Sequence, residues 1–222
     1  MSKTNQTSNV RKLVTSAMLI AIGTAISLVC ELIPFLNLPF GGTITICSLL
    51  PLVVISWMYG LGWGFGSAFV YSLLQIAVGV RTVSALFLPN SESYMGSVWL
   101  ALAIVALDYI LAFTSVGLGG IFRKMKSKTA ALVLGSVAAL TVCYAFHVLS
   151  GALFYGAWAE WFFTDTVVAD WEISKSIMSS YSGASLALIY SIIYNGCYMI
   201  PEIVITSVGA AAVSALPVVK KA

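Results

Sequence analysis

Long apolar runs broken by short polar punctuation dominate this chain. Six stand out: Leu13–Ile33, Thr43–Tyr59, Leu61–Val80, Val98–Phe122, Ala130–Phe154 and Ala184–Val213. A bilayer core takes about 20 apolar residues as α-helix, so each run is predicted to be a membrane span. Pro34 stops the first, and a Gly-rich turn over Tyr59–Gly64 joins the second to the third. The second is short and carries Pro51 inside it, while the sixth is long enough to tilt, or to kink at Pro201. The pattern predicts an all-α integral membrane protein of six transmembrane helices. It forms a single membrane domain over residues 1–222, with no repeat and no separable soluble part.

Composition agrees with the pattern. The chain is 60% hydrophobic and 9% charged, against about 45–50% apolar residues in soluble domains. Residues 1–12 are polar, and the run after them lacks a cleavage site, so it is expected to be a permanent helix. Four dispersed cysteines, Cys30, Cys47, Cys143 and Cys197, show no metal-ligand spacing and read as small buried hydrophobes. No metal and no cofactor are expected.

Charge sets the orientation. With six spans, Lys3, Arg11, Lys12, Arg123, Lys124, Lys126, Lys128, Lys220 and Lys221 fall on one side, and only Arg81 and Lys175 on the other. Basic residues collect on the cytoplasmic side. Both termini are therefore expected in the cytoplasm, in a multi-pass plasma-membrane protein of prokaryotic type. The outer side then holds loop one (Pro34–Gly42), loop three (Arg81–Ser97) and loop five (residues 155–183). Loop five carries Trp158, Trp161, Trp171 and four acidic residues, which fits an interfacial aromatic belt or a lid.

A few polar groups interrupt the apolar runs, and ionisable groups in hydrocarbon are costly enough to mark functional paths. Asp108 lies in the fourth run, and His147, the only histidine, in the fifth; Tyr190 and Asn195 lie in the sixth. At a rise of about 1.5 Å per residue, they lie roughly 15, 10, 9 and 16 Å in from the outer face. One outward-facing pocket would place them at such a common level. Asp108 would attract a cation, Asn195 offers donors and acceptors, and Tyr109, Tyr144, Tyr155, Tyr190 and Tyr194 could stack on a ring. This chemistry suits a small, flat, positively charged heterocycle. Asp108 and His147 could also simply satisfy each other, and Asn195 could join helices. Glu202, seven positions inward of Asn195, reads as structural. No HExxH, GxSxG or Gly-Lys phosphate loop is present, so an enzyme is not expected.

Several blocks carry a family resemblance. They are ProPheGlyGlyThrIleThr at 39–45 with LeuLeuPro at 49–51, AspTyr-x-x-AlaPhe at 108–113, HisVal-x-SerGly with PheTyrGly at 147–156, and TyrSer-x-x-TyrAsnGly-x-TyrMet-x-ProGlu at 190–202. Together they resemble the S components of energy-coupling factor (ECF) transporters, in their thiamine-specific branch. The resemblance implies a substrate-binding subunit that captures thiamine outside, while a separate T component and two ATPase subunits drive release. It implies substrate contacts from Asp108, Tyr109, His147, Tyr155, Tyr190 and Asn195. Trp158 and Trp161 are added as further stacking surfaces. Ala17, Ala21 and Ala25, a small-residue stripe on span one, would meet the T component. Two departures keep a pyridoxine-like or aminopyrimidine ligand open. Cys143 stands where the resemblance implies a basic residue, and loop five is long. A stand-alone proton-coupled secondary transporter is the alternative from another class.

Overall fold

The computed structural model describes residues 3–38, 41–166 and 168–217, with side chains from Asn9 onward. Ten α-helices order it: α1 (Lys3–Glu31), α2 (Leu50–Tyr59), α3 (Leu61–Val78), α4 (Val80–Ala85), α5 (Val98–Ile104), α6 (Ala112–Ser115), α7 (Lys128–Phe154), α8 (Ala159–Asp165), α9 (Glu172–Ser180) and α10 (Gly183–Ser214). A π-helical stretch, Val105–Leu111, joins α5 to α6, and a 3₁₀ stretch, Val116–Gly120, follows α6. Among the described residues, five segments are long and apolar enough to cross a membrane: Asn9–Glu31, Leu61–Val78, Val98–Gly120, Lys128–Phe154 and Gly183–Ser214.

The predicted second span is the main departure. Only its second half, α2, is helical, which gives about 15 Å of helix against a hydrocarbon core of about 30 Å. Residues 41–49 approach α2 as irregular chain instead. Gly41 and Gly42 hold φ of +99° and +91°, in the left-handed region that favours glycine. Asn37 and Thr43 pair as an antiparallel bridge, and the Thr43 hydroxyl donates to Asn37 Oδ1 at 2.6 Å. Apolar content alone could not reveal this, because a buried hairpin and a helix look alike by hydropathy. Pro39 and Phe40 lie outside the described residues, as do Lys220 and Lys221.

Loops three and five carry local structure. Loop three opens with α4, and loop five contains α8 and α9. α10 runs unbroken through Pro201. At one end of the bundle, Arg123 donates to the Met58 carbonyl, Lys128 sits 5.8 Å over the Trp57 ring, and the Thr129 and Ser214 hydroxyls pair. Loop one, α4, α8 and α9 occupy the opposite end. The main core gathers Leu52, Val53, Ile55, Tyr71, Val116, Leu132 and Leu140 between α2, α3, the 3₁₀ stretch and α7. A second cluster, with Phe162, Phe163, Tyr190 and Tyr194, seats α8 against α10.

Candidate substrate-binding cavity

Asp108 sits mid-way along the π-helical stretch. A π turn widens the helix locally and is frequent at functional sites. Asp108 faces α7, where His147 Nδ1 lies 3.1 Å from Oδ1 and the Ser150 hydroxyl donates to Oδ2 at 2.8 Å. His147 and Ser150 are three positions apart, on one face of a helix. The Asp108 side chain keeps 20% exposure and that of His147 9%. The imidazole is wedged edge-on between Phe113 and Tyr198, at centroid distances of 6.0 and 5.7 Å. Cys143 is fully buried one turn earlier on α7.

Asn195 completes the polar wall from α10. Its Nδ2 donates to the Ser191 carbonyl at 2.8 Å and the His147 carbonyl at 3.3 Å, and its Oδ1 accepts from the Tyr198 hydroxyl at 2.7 Å. The Ser191 hydroxyl donates in turn to the Val148 carbonyl at 2.7 Å. This close contact between helices requires Gly151: a Cβ there would meet Ser191 Oγ and come within 3.0 Å of Asn195 Nδ2.

These groups open into a cavity of about 440 Å³, within the size range of small-molecule sites. Of the residues expected at the site, Asp108, Tyr109, His147, Tyr155, Tyr190 and Asn195 all line it. Trp158 and Trp161 do not. They meet edge to face at 6.3 Å and pack against the α8 cluster, behind Tyr190. Tyr144 turns to α10, donating to the Ile192 carbonyl at 2.6 Å. Cys197 is exposed on α10 rather than buried.

Sequence reasoning missed the floor and one wall. Gly41 and Gly42 of loop one, Thr43 and Thr45 just after it, Tyr71 and Gln75 of α3 and Tyr198 of α10 were not expected there, whereas Tyr194, expected as a stacking ring, and Glu202, expected as a structural group, also line the cavity. The α10 spacing of four was the available signal. Tyr194 donates to the Gly41 carbonyl at 3.1 Å, the Tyr198 ring covers Gly42, and Glu202 holds Thr45.

The two carboxylates on this cavity are in different states of satisfaction. An ionised carboxylate has about four acceptor positions. Glu202 accepts from the Thr45 N–H, the Thr45 hydroxyl and the Thr206 hydroxyl. Asp108 accepts from two side chains, and the rest of its capacity faces the cavity. Glu202 therefore holds the structure together, whereas Asp108 has acceptor capacity left for a ligand.

A helical membrane bundle enclosing such a cavity is a solute-binding membrane protein of the transporter class. Among the described residues no cluster of three or more His, Cys, Asp or Glu side chains could hold a metal. The chain belongs to the family described as Thiamine transporter protein (Thia_YuaJ), which matches residues 17–161. It is a multi-pass cell-membrane transporter protein rather than an enzyme. It is 28% identical over 201 residues to the thiamine transporter ThiT of Bacillus subtilis (strain 168), covering 85% of this chain and 84% of that one. The solved structure of ThiT from Listeria monocytogenes shares its fold. The TM-score is 0.60 at 16% identity, over 93% of this chain and 94% of that one.

Proposed function

We propose that this protein is the thiamine-binding S component of an ECF-type uptake transporter. Thiamine would be taken from outside into the cavity beside Asp108. One observation carries the reading: a partly satisfied carboxylate on a cavity walled by Tyr109, Tyr155, Tyr190 and Tyr194. A carboxylate favours the thiazolium charge where water is excluded, tyrosine faces favour a flat cationic ring, and the Asn195 amide suits the aminopyrimidine. The similarity to a thiamine transporter supports the same ligand. Trp158 and Trp161 would back the tyrosine wall as a second layer.

The proposed topology has six crossings, with α2 and residues 41–49 together forming the second, and both termini in the cytoplasm. The basic end around Arg123 and Lys128 supports it. A T component and two ATPase subunits would supply the energy. Ala17, Ala21 and Ala25 are exposed along α1, where a partner helix could approach closely.

Calorimetry on the detergent-solubilised protein tests the reading. Saturable heat with thiamine, displaced neither by pyridoxine nor by the isolated aminopyrimidine at equal concentration, is expected. Absence of heat at micromolar thiamine overturns it. Thiamine accumulation by vesicles holding this protein alone, without ATPase subunits, would replace the S-component role by that of a secondary transporter.

A further inference from the structure

Ser150 is fully buried on α7 and is not among the residues that line the cavity. Its hydroxyl is nevertheless 2.8 Å from Asp108 Oδ2. The other carboxylate oxygen is 3.1 Å from His147. With one oxygen tied to each residue, the carboxylate plane is fixed by two points on a single helix. Rotation about its last bond would break at least one of the two contacts. The free acceptor directions are thereby aimed into the cavity rather than averaged over a rotating group. The π stretch brings Asp108 to α7, and the i, i+3 spacing of His147 and Ser150 receives it.

We infer that Ser150 is a positioning residue for cation recognition, acting through Asp108. The inference rests on the cationic-ligand reading above and sharpens it. Selectivity for a charged ring over a neutral one depends on a side chain outside the cavity lining. Without the hydroxyl, Oδ2 loses its donor and the carboxylate is free to turn toward His147, so its charge no longer points into the cavity. A neutral ring, held by tyrosine faces and Asn195, has little stake in that orientation.

The test compares Ser150→Ala and Ser150→Cys, both close to serine in size, in the full-length protein. Calorimetry measures thiamine and an isostere whose thiazolium is replaced by an uncharged ring. The expected loss for thiamine in Ser150→Ala is about tenfold, the scale of one hydrogen bond to a charged group, with less than about threefold for the neutral isostere on the same scale. Ser150→Cys, a weaker donor, falls between. In an Asp108→Asn background, Ser150→Ala adds nothing further, because the two act as one unit. Equal losses for both ligands, or additive effects with Asp108→Asn, overturn the inference and leave Ser150 a packing residue.

A ligand-free measurement separates this outcome from failure of the thiamine reading. His147 is the only histidine, so protein purified without a histidine tag gives one set of imidazole resonances. Those resonances move in Ser150→Ala if the hydroxyl sets the Asp108 orientation, whatever the ligand is. Unmoved resonances overturn the inference even where thiamine binds.

Discussion

Glu202 accepts hydrogen bonds from both the backbone N–H and the hydroxyl of Thr45, at 3.1 and 2.6 Å, across 157 positions of sequence. This contact ties the irregular segment before α2 to α10 as a floor for the cavity. A buried backbone donor needs a partner from within the protein, and Glu202 provides one for the Thr45 N–H.

Replacing Glu202 by alanine orphans the Thr45 N–H and the Thr206 hydroxyl together. The expected cost is about 2–4 kcal/mol, from more than one buried donor left unpaired. Thermal unfolding in detergent should show a clear fall in midpoint, and limited proteolysis should cut within residues 41–49. A midpoint equal to that of the unaltered protein would refute the structural role.

Asp108→Asn keeps the size of the side chain and removes its charge. Losing a desolvated charge partner costs about 2–5 kcal/mol, so thiamine affinity should fall by at least about thirtyfold on the usual scale of 1.4 kcal/mol per decade. A neutral isostere should lose much less. Parallel titrations of the two ligands read the difference, and equal losses would remove Asp108 from the site.

Gly151→Ala inserts a methyl group where Ser191 and Asn195 approach α7. Over-packing of this kind costs about 1–3 kcal/mol. Because Asn195 is uncharged, the charged and neutral ligands should weaken alike, in contrast to Asp108→Asn. Unaltered affinity for both would mean that α10 can shift without disturbing the site.

Tyr155→Ala and Trp161→Ala separate the cavity wall from the layer behind it. Tyr155 lines the cavity and Trp161 does not, so only the first removes a ring face, a loss of about 1 kcal/mol or more. Trp161→Ala should lower the unfolding midpoint more than it lowers affinity. The reverse ranking, measured by calorimetry and thermal unfolding on both variants, would bring Trp161 into contact with the ligand.

Much of the site was readable in the chain, because a polar residue in an apolar run is conspicuous. Asp108, His147, Tyr190 and Asn195 all line one cavity. Two things were hidden. The irregular first half of the predicted second span was invisible to hydropathy: residues 43–49 are apolar enough for a helix, and the distant Glu202 and the Gly41–Gly42 turn hold another conformation. Ser150 was hidden for a different reason. Serine is ordinary inside a helix, and its importance comes from what lies opposite, across 42 positions.

The tie between Thr45 and α10 also bears on the order in which the molecule can be finished. Gly41, Gly42 and Thr45 are synthesised well before Tyr194, Tyr198 and Glu202, which they meet in the folded protein. Until α10 inserts, the Thr45 N–H lacks the acceptor it has in the folded protein. A ribosome stalled before residue 202 would display a bundle with an unfinished floor, and truncation of the final helix would be felt first near the beginning of the chain.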